Sequence, residues 1–422
     1  MAEMKDSGIE WCGKIPTSWN VMPNKYVMYK KKEICPKYNG EDILSLTMDG
    51  VIVRDLDAGG KMPASFDGYQ RVKPNNLLMC LFDYDVTPRC IGLIQNEGLT
   101  SPAYSQFIMK NGNDARYYYY YYLMIDNTKE LLHLSKNLRH SFTEDQLGAI
   151  NTPVPLVKIQ KQIAKYLDQK CEDIDAVYSD IEKQIETLEE YKKSIITEAV
   201  TKGLDPDVEM KDSGIELIGQ IPNEWKISRL GWISKKIGDG IHGTVTFEDG
   251  ETNFYFINGN NIKKRNIAIK DNTQRITERI YNTYKTNLTT HTILISLNGT
   301  IGNLAFYNNE NVLLGKSVGF IELKEEYNRE YIYYLLQANY IKTIFELSFA
   351  GTTINNLSLQ TLRKTNVLLP PKTEQKKIVK YLDKKCAEID GAIEEKKEQL
   401  DTLEQYKKSV IYEYVTGKKE VQ

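Results

Sequence analysis

Side chains suited to catalysis or metal binding are sparse in this sequence. Four histidines stand in 422 residues, at His133, His140, His242 and His291, and no two are spaced as a helical metal pair. The six cysteines (Cys12, Cys35, Cys80, Cys90, Cys171 and Cys386) are scattered, with no CxxC pair. That argues against a disulfide framework and a thiolate zinc site, and it fits a reducing cytoplasm. No apolar run is long enough to cross a bilayer, and Met1 to Ile15 lacks the basic-then-apolar layout of a secretion signal. No GxxxxGK[ST] phosphate loop occurs, which speaks against a nucleotide-driven motor. A Gly-rich cofactor loop and an Asn-Pro-Pro-aromatic tetrad are absent as well: Pro370-Pro371 follows Leu369 and precedes Lys372. The chain alone therefore does not read as an adenine methyltransferase. Nor is basic charge in excess. The formal net charge is −2, whereas nucleic-acid binders are more often basic, although a local patch matters more than the sum.

What the sequence does have is a frame written twice. Met4-Lys5-Asp6-Ser7-Gly8-Ile9-Glu10 returns as Met210-Lys211-Asp212-Ser213-Gly214-Ile215-Glu216. The match continues through Gly13, Ile15, Pro16 and Trp19 against Gly219, Ile221, Pro222 and Trp225. A second block pairs Lys165-Tyr166-Leu167-Asp168 with Lys380-Tyr381-Leu382-Asp383, Cys171 with Cys386, and Tyr191-Lys192-Lys193-Ser194 with Tyr406-Lys407-Lys408-Ser409. Between the blocks the halves diverge. The order is tag, variable domain, helix, and then the same again, which suggests one scaffold presenting two different inserts.

The repeated helices carry a heptad seam. Leu167, Ile174, Ile181, Leu188 and Ile195 step by seven, with Cys171, Tyr178 and Ile185 between them. In the second copy Leu382, Ile389, Leu403 and Val410 keep the step, Lys396 interrupts it, and Cys386, Ile393 and Leu400 fill the alternate positions. Pro155 and Pro370-Pro371 precede the helices, and Gly203 and Gly417 lie near their ends. Each helix is expected to hold about 43 residues, roughly 65 Å. The expected divisions are 1–152 (tag and first variable domain), 153–203 (first long helix), 204–367 (second tag and variable domain) and 368–422 (second long helix and tail). The variable domains read as mixed α/β. Leu77-Leu78-Met79-Cys80-Leu81 and Thr292-Ile293-Leu294-Ile295-Ser296-Leu297 look like strands, while Asn298-Gly299 and Asn258-Gly259-Asn260 look like turns. The fold class is α/β (α+β): two mixed domains separated by a long antiparallel two-helix coiled coil, with an internal pseudo-twofold repeat.

The doubled order of these motifs carries a resemblance. Gly8-Ile9-Glu10-Trp11-Cys12-Gly13-Lys14-Ile15-Pro16, its second copy, and Leu369-Pro370-Pro371-Lys372-Thr373-Glu374-Gln375-Lys376-Lys377-Ile378 are similar to hallmarks of the specificity subunits of Type I restriction-modification systems. Gly238-Asp239-Gly240-Ile241-His242-Gly243-Thr244 and Asn298-Gly299-Thr300-Ile301-Gly302 resemble loops of that family's target-recognition domains, and Gly98-Leu99-Thr100-Ser101-Pro102-Ala103-Tyr104 resembles another family segment. There are departures. Thr244 is followed by Val245 where the family often has proline. The first domain has no counterpart of the His242 loop, which assigns it to a different subtype. The tract before the first helix keeps Gln160 but lacks the glutamate of the second copy.

The resemblance implies a non-catalytic, cytoplasmic DNA-binding subunit. Two target-recognition domains each read one half of a bipartite site, and the coiled coil sets the gap between the halves. The implied partners are double-stranded DNA, two methyltransferase subunits using S-adenosylmethionine, and motor-nuclease restriction subunits using ATP and Mg²⁺. No cofactor is expected in this chain, and no membrane is involved.

Several features remain to be weighed. The run Tyr117 to Tyr122 suggests base stacking, but Tyr331-Ile332-Tyr333-Tyr334-Leu335-Leu336 occupies the matching place, so a helix buried against a sheet is expected. Asp207, Glu209 and Lys211 superficially match a nuclease cluster, yet their spacing is too tight for residues from separate strands, and Glu3 and Lys5 repeat part of it in the first tag. Cys171 and Cys386 fall on the seam, where a small hydrophobe is the ordinary explanation. Arg139-His140-Ser141 and, at the corresponding place, Thr352-Thr353 form either base-reading loops or plain capped loops. Lys263-Lys264-Arg265 contacts phosphate or is solvated. Tyr104, Asp239, His242, Thr244, Asn298 and Lys316 complete the candidate DNA-binding set. The competing function is a coiled-coil interaction scaffold with no DNA-reading role.

Overall fold

The computed structural model describes residues 3–58, 63–135, 140–248, 250, 252–349 and 355–421. The chain forms two compact units, Met1–Glu182 with Lys397–Gln422, and Lys183–Lys396. The border runs through both long helices. Each unit therefore holds one tag, one variable domain, part of one long helix and part of the other.

Both tags fold as the same hairpin. Met4–Asp6 pairs antiparallel with Lys14–Pro16 in the first unit, and Met210–Asp212 with Gln220–Pro222 in the second. The shared residues build the turn. The Gly8 and Gly214 amides donate to Asp6 and Asp212 carboxylates, and the Ile9 and Ile215 amides donate to Ser7 and Ser213 hydroxyls. Lys5 Nζ donates to the Thr17 carbonyl and Lys211 Nζ to the Asn223 carbonyl. Lys211 is thus a hairpin staple rather than part of a nuclease cluster.

After each tag a short strand returns to pair with the last strand of its variable domain, Asn20–Pro23 with Asn151–Val154 and Lys226–Arg229 with Asn366–Leu369. The entry and exit of each variable segment are therefore side by side. Within it lies a four-stranded antiparallel sheet. Its order is Met28–Lys31, Ser105–Met109, Leu77–Met79, Ile91–Leu93 in the first unit. In the second it is Ser234–Asp239, Val318–Leu323, Thr292–Ser296, Leu304–Phe306. The two domains, expected to be of different subtypes, share this sheet order. They differ in accessory strands: Leu44–Thr47 with Gly50–Val53, and Gln70–Val72 with Gly98–Thr100, in the first; the parallel pair Tyr255–Ile257 and Val312–Leu314 in the second.

The tyrosine run forms the helix Ala115–Thr128, capped by the Asp114 side chain on the Arg116 and Tyr117 amides. Its counterpart Arg329–Leu335 is capped by Asn328 on the Tyr331 amide. Tyr117, Tyr118, Tyr120, Tyr121 and Tyr122 are buried, as are Tyr331, Tyr333 and Tyr334. Tyr117 donates to the Val415 carbonyl at 2.8 Å, and Tyr331 to the Leu368 carbonyl at 3.1 Å. The run is core, as its repetition predicts.

The long helices span Val157–Lys202 (46 residues) and Lys372–Val415 (44 residues), slightly longer than expected. The buried Gln160 and Gln375 each donate to a carbonyl just ahead of the helix, that of Pro155 or Pro370, both at 2.9 Å. This explains why the glutamine survives in both copies of the tract. Within each unit the helix segments run antiparallel. Lys407 reaches Asp175 at 2.6 Å while Tyr414 stacks on Tyr166 with centroids 4.4 Å apart in the first unit. Lys192 meets Asp390, and Lys396 meets Gln184, both at 2.5 Å, in the second. Seam residues Leu167, Cys171, Ile174, Ile181, Leu382, Cys386, Ile389 and Ile393 are buried. Burial pushes the Cys171 thiol up to about 11, so it packs as a neutral group.

The helix ends explain the tags. Gly417 adopts a left-handed backbone (φ +70°), and a Cβ there would stand 2.5 Å from Pro16 and 2.8 Å from Trp19. Gly203 (φ +80°) lies against Trp225 and Pro222 as well, where a Cβ would stand at 3.4 and 3.8 Å, and its tightest neighbour would be Glu374 Oε1 at 2.9 Å. The Ile-Pro-x-x-Trp of each tag covers a helix C-terminus.

The core assignment of the tyrosine run is testable. Tyr118→Ala should destabilise the first unit by about 3–5 kcal/mol, as for other large aromatics truncated in cores. Tyr119→Ala, at a half-buried position, should cost less than half as much. Urea unfolding followed by circular dichroism measures both; equal, small losses would return the run to the surface.

Candidate nucleic-acid interface

In the second unit five loops gather at one edge of the sheet. The strand Ser234–Asp239 ends in Gly240, whose backbone lies so close to the 314–315 chain that a Cβ would stand 2.0 Å from the Leu314 carbonyl oxygen. Only glycine fits there, and the approach lets the Ile241 amide donate to that carbonyl at 2.8 Å. The turn places His242 Nε2 2.7 Å from Asp239 Oδ2, with the imidazole side chain 70% exposed. Lys316 projects from the neighbouring turn and is exposed. Ser317, next in sequence, accepts the Gly259 amide at 2.9 Å, which ties in the loop 258–261. That loop is self-capped, Asn258 accepting from the Asn260 amide and Asn261 from the Asn258 amide, both at 3.0 Å. Asn298, half-buried, bridges to Asn356, and the Leu357 amide donates to the Leu297 carbonyl at 2.7 Å.

The structure thus brings Asp239, His242, Asn298 and Lys316 to one edge, with Asn258 and Asn260 beside them. Thr244 is exposed just past the His242 turn. The set is rich in amide and imidazole groups and carries little net charge, which suits reading base edges by hydrogen bonds more than gripping phosphate. Thr352 and Thr353 lie outside the described residues, as does Arg139.

In the first unit the corresponding edge has different chemistry. The Phe142 amide donates to the Leu81 carbonyl at 2.7 Å, the counterpart of Leu357 on Leu297. This bond closes the segment that carries His140 and Ser141 onto the strand end. His140 has a left-handed backbone (φ +40°), and its carbonyl accepts from the Tyr84 amide at 3.3 Å. Its Nδ1 is buried without a hydrogen-bond partner among the described residues. Ser141 is half-buried beside it. Tyr104 stacks on Phe82 with centroids 6.2 Å apart, and burial raises its phenol above the ordinary value. The segment leading to it is structural: Gly98–Thr100 is a fully buried strand.

Within the basic triplet, Arg265 is tied to the fold while the two lysines are exposed. Arg265 stacks over Phe306, Tyr333 and Tyr334, 4.9–5.7 Å from the ring centroids, and its Nη2 reaches Asp383 on the long helix at 2.5 Å. Its side chain is held by the rings and the carboxylate, and 35% of it stays exposed. Lys264 lies 3.8 Å from Asp390 with its side chain 81% exposed, and Lys263 is exposed. The triplet faces the helix rather than the five-loop edge.

Sequence reasoning missed the 81–89 loop of the first domain, which includes the exposed Val86 and follows a strand as the Asn298 loop does. It also missed Ser317 and treated Asn258-Gly259-Asn260 only as a turn. The repeat held the signal for the 81–89 loop, because Leu77-Leu81 and Thr292-Leu297 had both been recognised as strands. No group of three or more His, Cys, Asp or Glu side chains able to hold a metal occurs among the described residues, and no helix there is long and apolar enough to cross a membrane.

Comparison with known proteins agrees with this architecture. The chain is similar to a putative type I restriction enzyme specificity subunit (MjaX) of Methanocaldococcus jannaschii, 29% identical over 294 residues that cover 66% of this chain and 61% of the relative. It is similar to the MjaVIII specificity subunit of the same organism, 28% identical over 282 residues that cover 64% and 62%. The matches thus span about three fifths of the length of these relatives. A chain from a solved structure of the type I R-M system superposes with a TM-score of 0.66 at 14% identity, covering 95% of this chain and 98% of that one, a likeness of fold. The model of the Type I restriction modification DNA specificity domain matches residues 92–187 and 222–405. With more than half of its residues matched, the chain belongs to the Type I restriction-modification DNA-specificity family.

Proposed function

We propose that this chain is the non-catalytic, cytoplasmic subunit that reads a bipartite site on double-stranded DNA, one half with each variable domain, and that its paired helices set the gap between the halves. The observation that carries this reading is one sheet order, with one set of anchoring bonds, holding two unlike edges: His242, Asn298 and Lys316 in one unit, Tyr104, His140 and Ser141 in the other. A scaffold that repeats its frame while changing its edge has two different things to read. The frame itself would serve as the platform for two methyltransferase subunits, with S-adenosylmethionine bound by them, and for restriction subunits using ATP and Mg²⁺.

Half-site independence follows directly. Replacing residues 17–150 by a homologous domain should change one half of the methylated motif and leave the other intact. Sequencing methylated adenines in cells carrying the hybrid gives the answer; a change in both halves would end the two-reader account.

The second edge yields a residue-level expectation. Asn298→Ala should narrow the preference for specific over random DNA by about 1–3 kcal/mol, the worth of a good base contact. Lys316→Ala should weaken binding to all sequences alike and lower the salt slope by about 0.9, as the loss of one phosphate contact would. Both are read by fluorescence anisotropy across a salt series with the methyltransferase partner present. An unchanged specificity ratio for Asn298→Ala would leave that loop a structural role only.

A further inference from the structure

Each repeated Lys-Tyr-Leu-Asp block places an aspartate at the same point of a long helix, Asp168 in one unit and Asp383 in the other. Each accepts one arginine and one tyrosine from its variable domain. Asp168 takes Arg116 Nη1 at 2.8 Å and the Tyr120 hydroxyl at 3.0 Å. Asp383 takes Arg265 Nη2 at 2.5 Å and the Tyr334 hydroxyl at 2.8 Å. Burial, reinforced by the aspartate, holds both phenols well above their ordinary value, so they stay protonated and donate.

The tyrosines are equivalent in the repeat, but the arginines are not. Arg116 stands in the first turn of the tyrosine-rich helix, one turn before Tyr120. The position matching Arg116 in the second unit is Glu330, which supplies no cation. There the arginine comes instead from the tight turn between Ile262–Lys263 and Asn266–Ile267, at a left-handed residue (φ +71°). That turn is bonded into the sheet, the Phe306 amide donating to the Arg265 carbonyl at 2.8 Å and the Arg265 amide to the Leu304 carbonyl at 3.2 Å. Two unrelated stretches of sequence therefore bring the same pair of donors to the same carboxylate.

Stability does not explain the arrangement. Side-chain exposure is 39% and 42% for Arg116 and Asp168, and 35% and 43% for Arg265 and Asp383, and solvent-screened pairs of this kind contribute little to folding. Geometry does explain it. The apolar contacts of the domain on the helix are non-directional, whereas two converging hydrogen bonds to one carboxylate fix an angle.

We infer that Asp168 and Asp383 are positioning residues that fix the angle at which each variable domain stands on its long helix, and so make the complex reject DNA with the wrong gap. This inference rests on the proposed two-half-site reading. One extra base pair moves a half-site about 3.4 Å along the duplex and about 35° around it. A domain free to rock on its helix would absorb part of that change; a clamped one cannot.

The test uses the full chain assembled with its methyltransferase partner and S-adenosylmethionine, acting on DNA whose half-sites are separated by a randomised gap. Five proteins are compared: unmodified, Asp168→Asn, Asp383→Asn, Asp383→Ala and Arg265→Lys. Asparagine keeps an acceptor for the tyrosine, so it guards against loss of folding, which thermal melting checks. The unmodified protein should prefer one gap. Each variant should methylate the neighbouring gaps at least about tenfold more, relative to the preferred gap, with the half-site bases unchanged. Arg265→Lys, which keeps the charge but not the forked geometry, should fall between unmodified protein and Asp383→Ala. Folded variants that keep the original gap preference overturn the clamp, and so do variants that alter the half-site bases instead. An unmodified protein that methylates no bipartite motif overturns the two-half-site reading itself.

Discussion

The seating of a tag tryptophan and proline on a helix-end glycine is the contact on which the rest of each unit depends. Pro16 and Trp19 close over Gly417, and Pro222 and Trp225 over Gly203. Burying an indole removes on the order of 200 Å² from water, at roughly 25 cal/mol per Å², so the burial of each tryptophan as a whole contributes about 5 kcal/mol, shared among the helix end and its other neighbours. An exposed ion pair on the helices contributes about 0–1 kcal/mol. The apolar seat therefore decides where the tag goes. The tag in turn decides where the variable segment begins, because Asn20–Pro23 and Lys226–Arg229 follow the tryptophans almost at once. The hairpin's Asp, Ser, Gly and Lys are spent on its own turn, which is why the sequence Lys-Asp-Ser-Gly-Ile-Glu repeats without doing chemistry.

Charge has a different task in this molecule. The helices carry many acidic groups, and in each unit a number of them are already matched: Asp175 with Lys407, Asp390 with Lys192, Asp168 with Arg116, Asp383 with Arg265. A net charge of −2 is thus largely the balance of a frame that neutralises itself locally, and it says little about the recognition edges. Among the described residues the second edge is modestly charged too. There the carboxylate–imidazole pair of half-buried Asp239 with His242 stands beside Lys316 and a group of asparagines. Such an edge offers directional hydrogen-bonding groups, and these act only when the edge is held at a defined angle.

The parts of this fold legible in the sequence are those in which one physical rule acts alone. The heptad seam follows from burial on a helix, and Leu167, Cys171, Ile174 and Ile181 are buried as the period requires. The tyrosine run was readable as core because its counterpart at Tyr331–Leu336 keeps the aromatic pattern without keeping the sequence. Sheet order was not legible. The first variable segment lacks the His242 loop, yet its four strands pair in the same order as those of the second, since strand pairing is set by long-range contacts that leave little local trace. The packing of Arg265 was not legible for a related reason. A basic triplet in a polar stretch looks like a phosphate grip until one knows which aromatic rings and which carboxylate the fold delivers to it. At the candidate sites, His242, Asp239, Asn298 and Lys316 converge through backbone bonds between loops far apart in sequence; the Gly238-to-Thr244 and Asn298-to-Gly302 motifs signalled their part in advance, whereas their meeting with Lys316 did not show.

The strand pairs at the mouth of each variable segment explain how such divergence is tolerated. Asn151–Val154 returns to Asn20–Pro23, and Asn366–Leu369 to Lys226–Arg229. Whatever lies between, the chain leaves the domain beside the point where it entered and passes directly to the glutamine-capped start of a long helix. Inserts can therefore change length and accessory strands without altering the path of the frame, provided two conditions are met. The tyrosine-rich helix must present Tyr117 or Tyr331 to the frame, where their hydroxyls meet the Val415 and Val200 carbonyls of the long helices. Some cation must also reach the helix aspartate, and the two halves meet this second condition from different places, one from a helix and one from a turn. A variable segment built under those conditions is free to change its loops, while its footing on the helix is not.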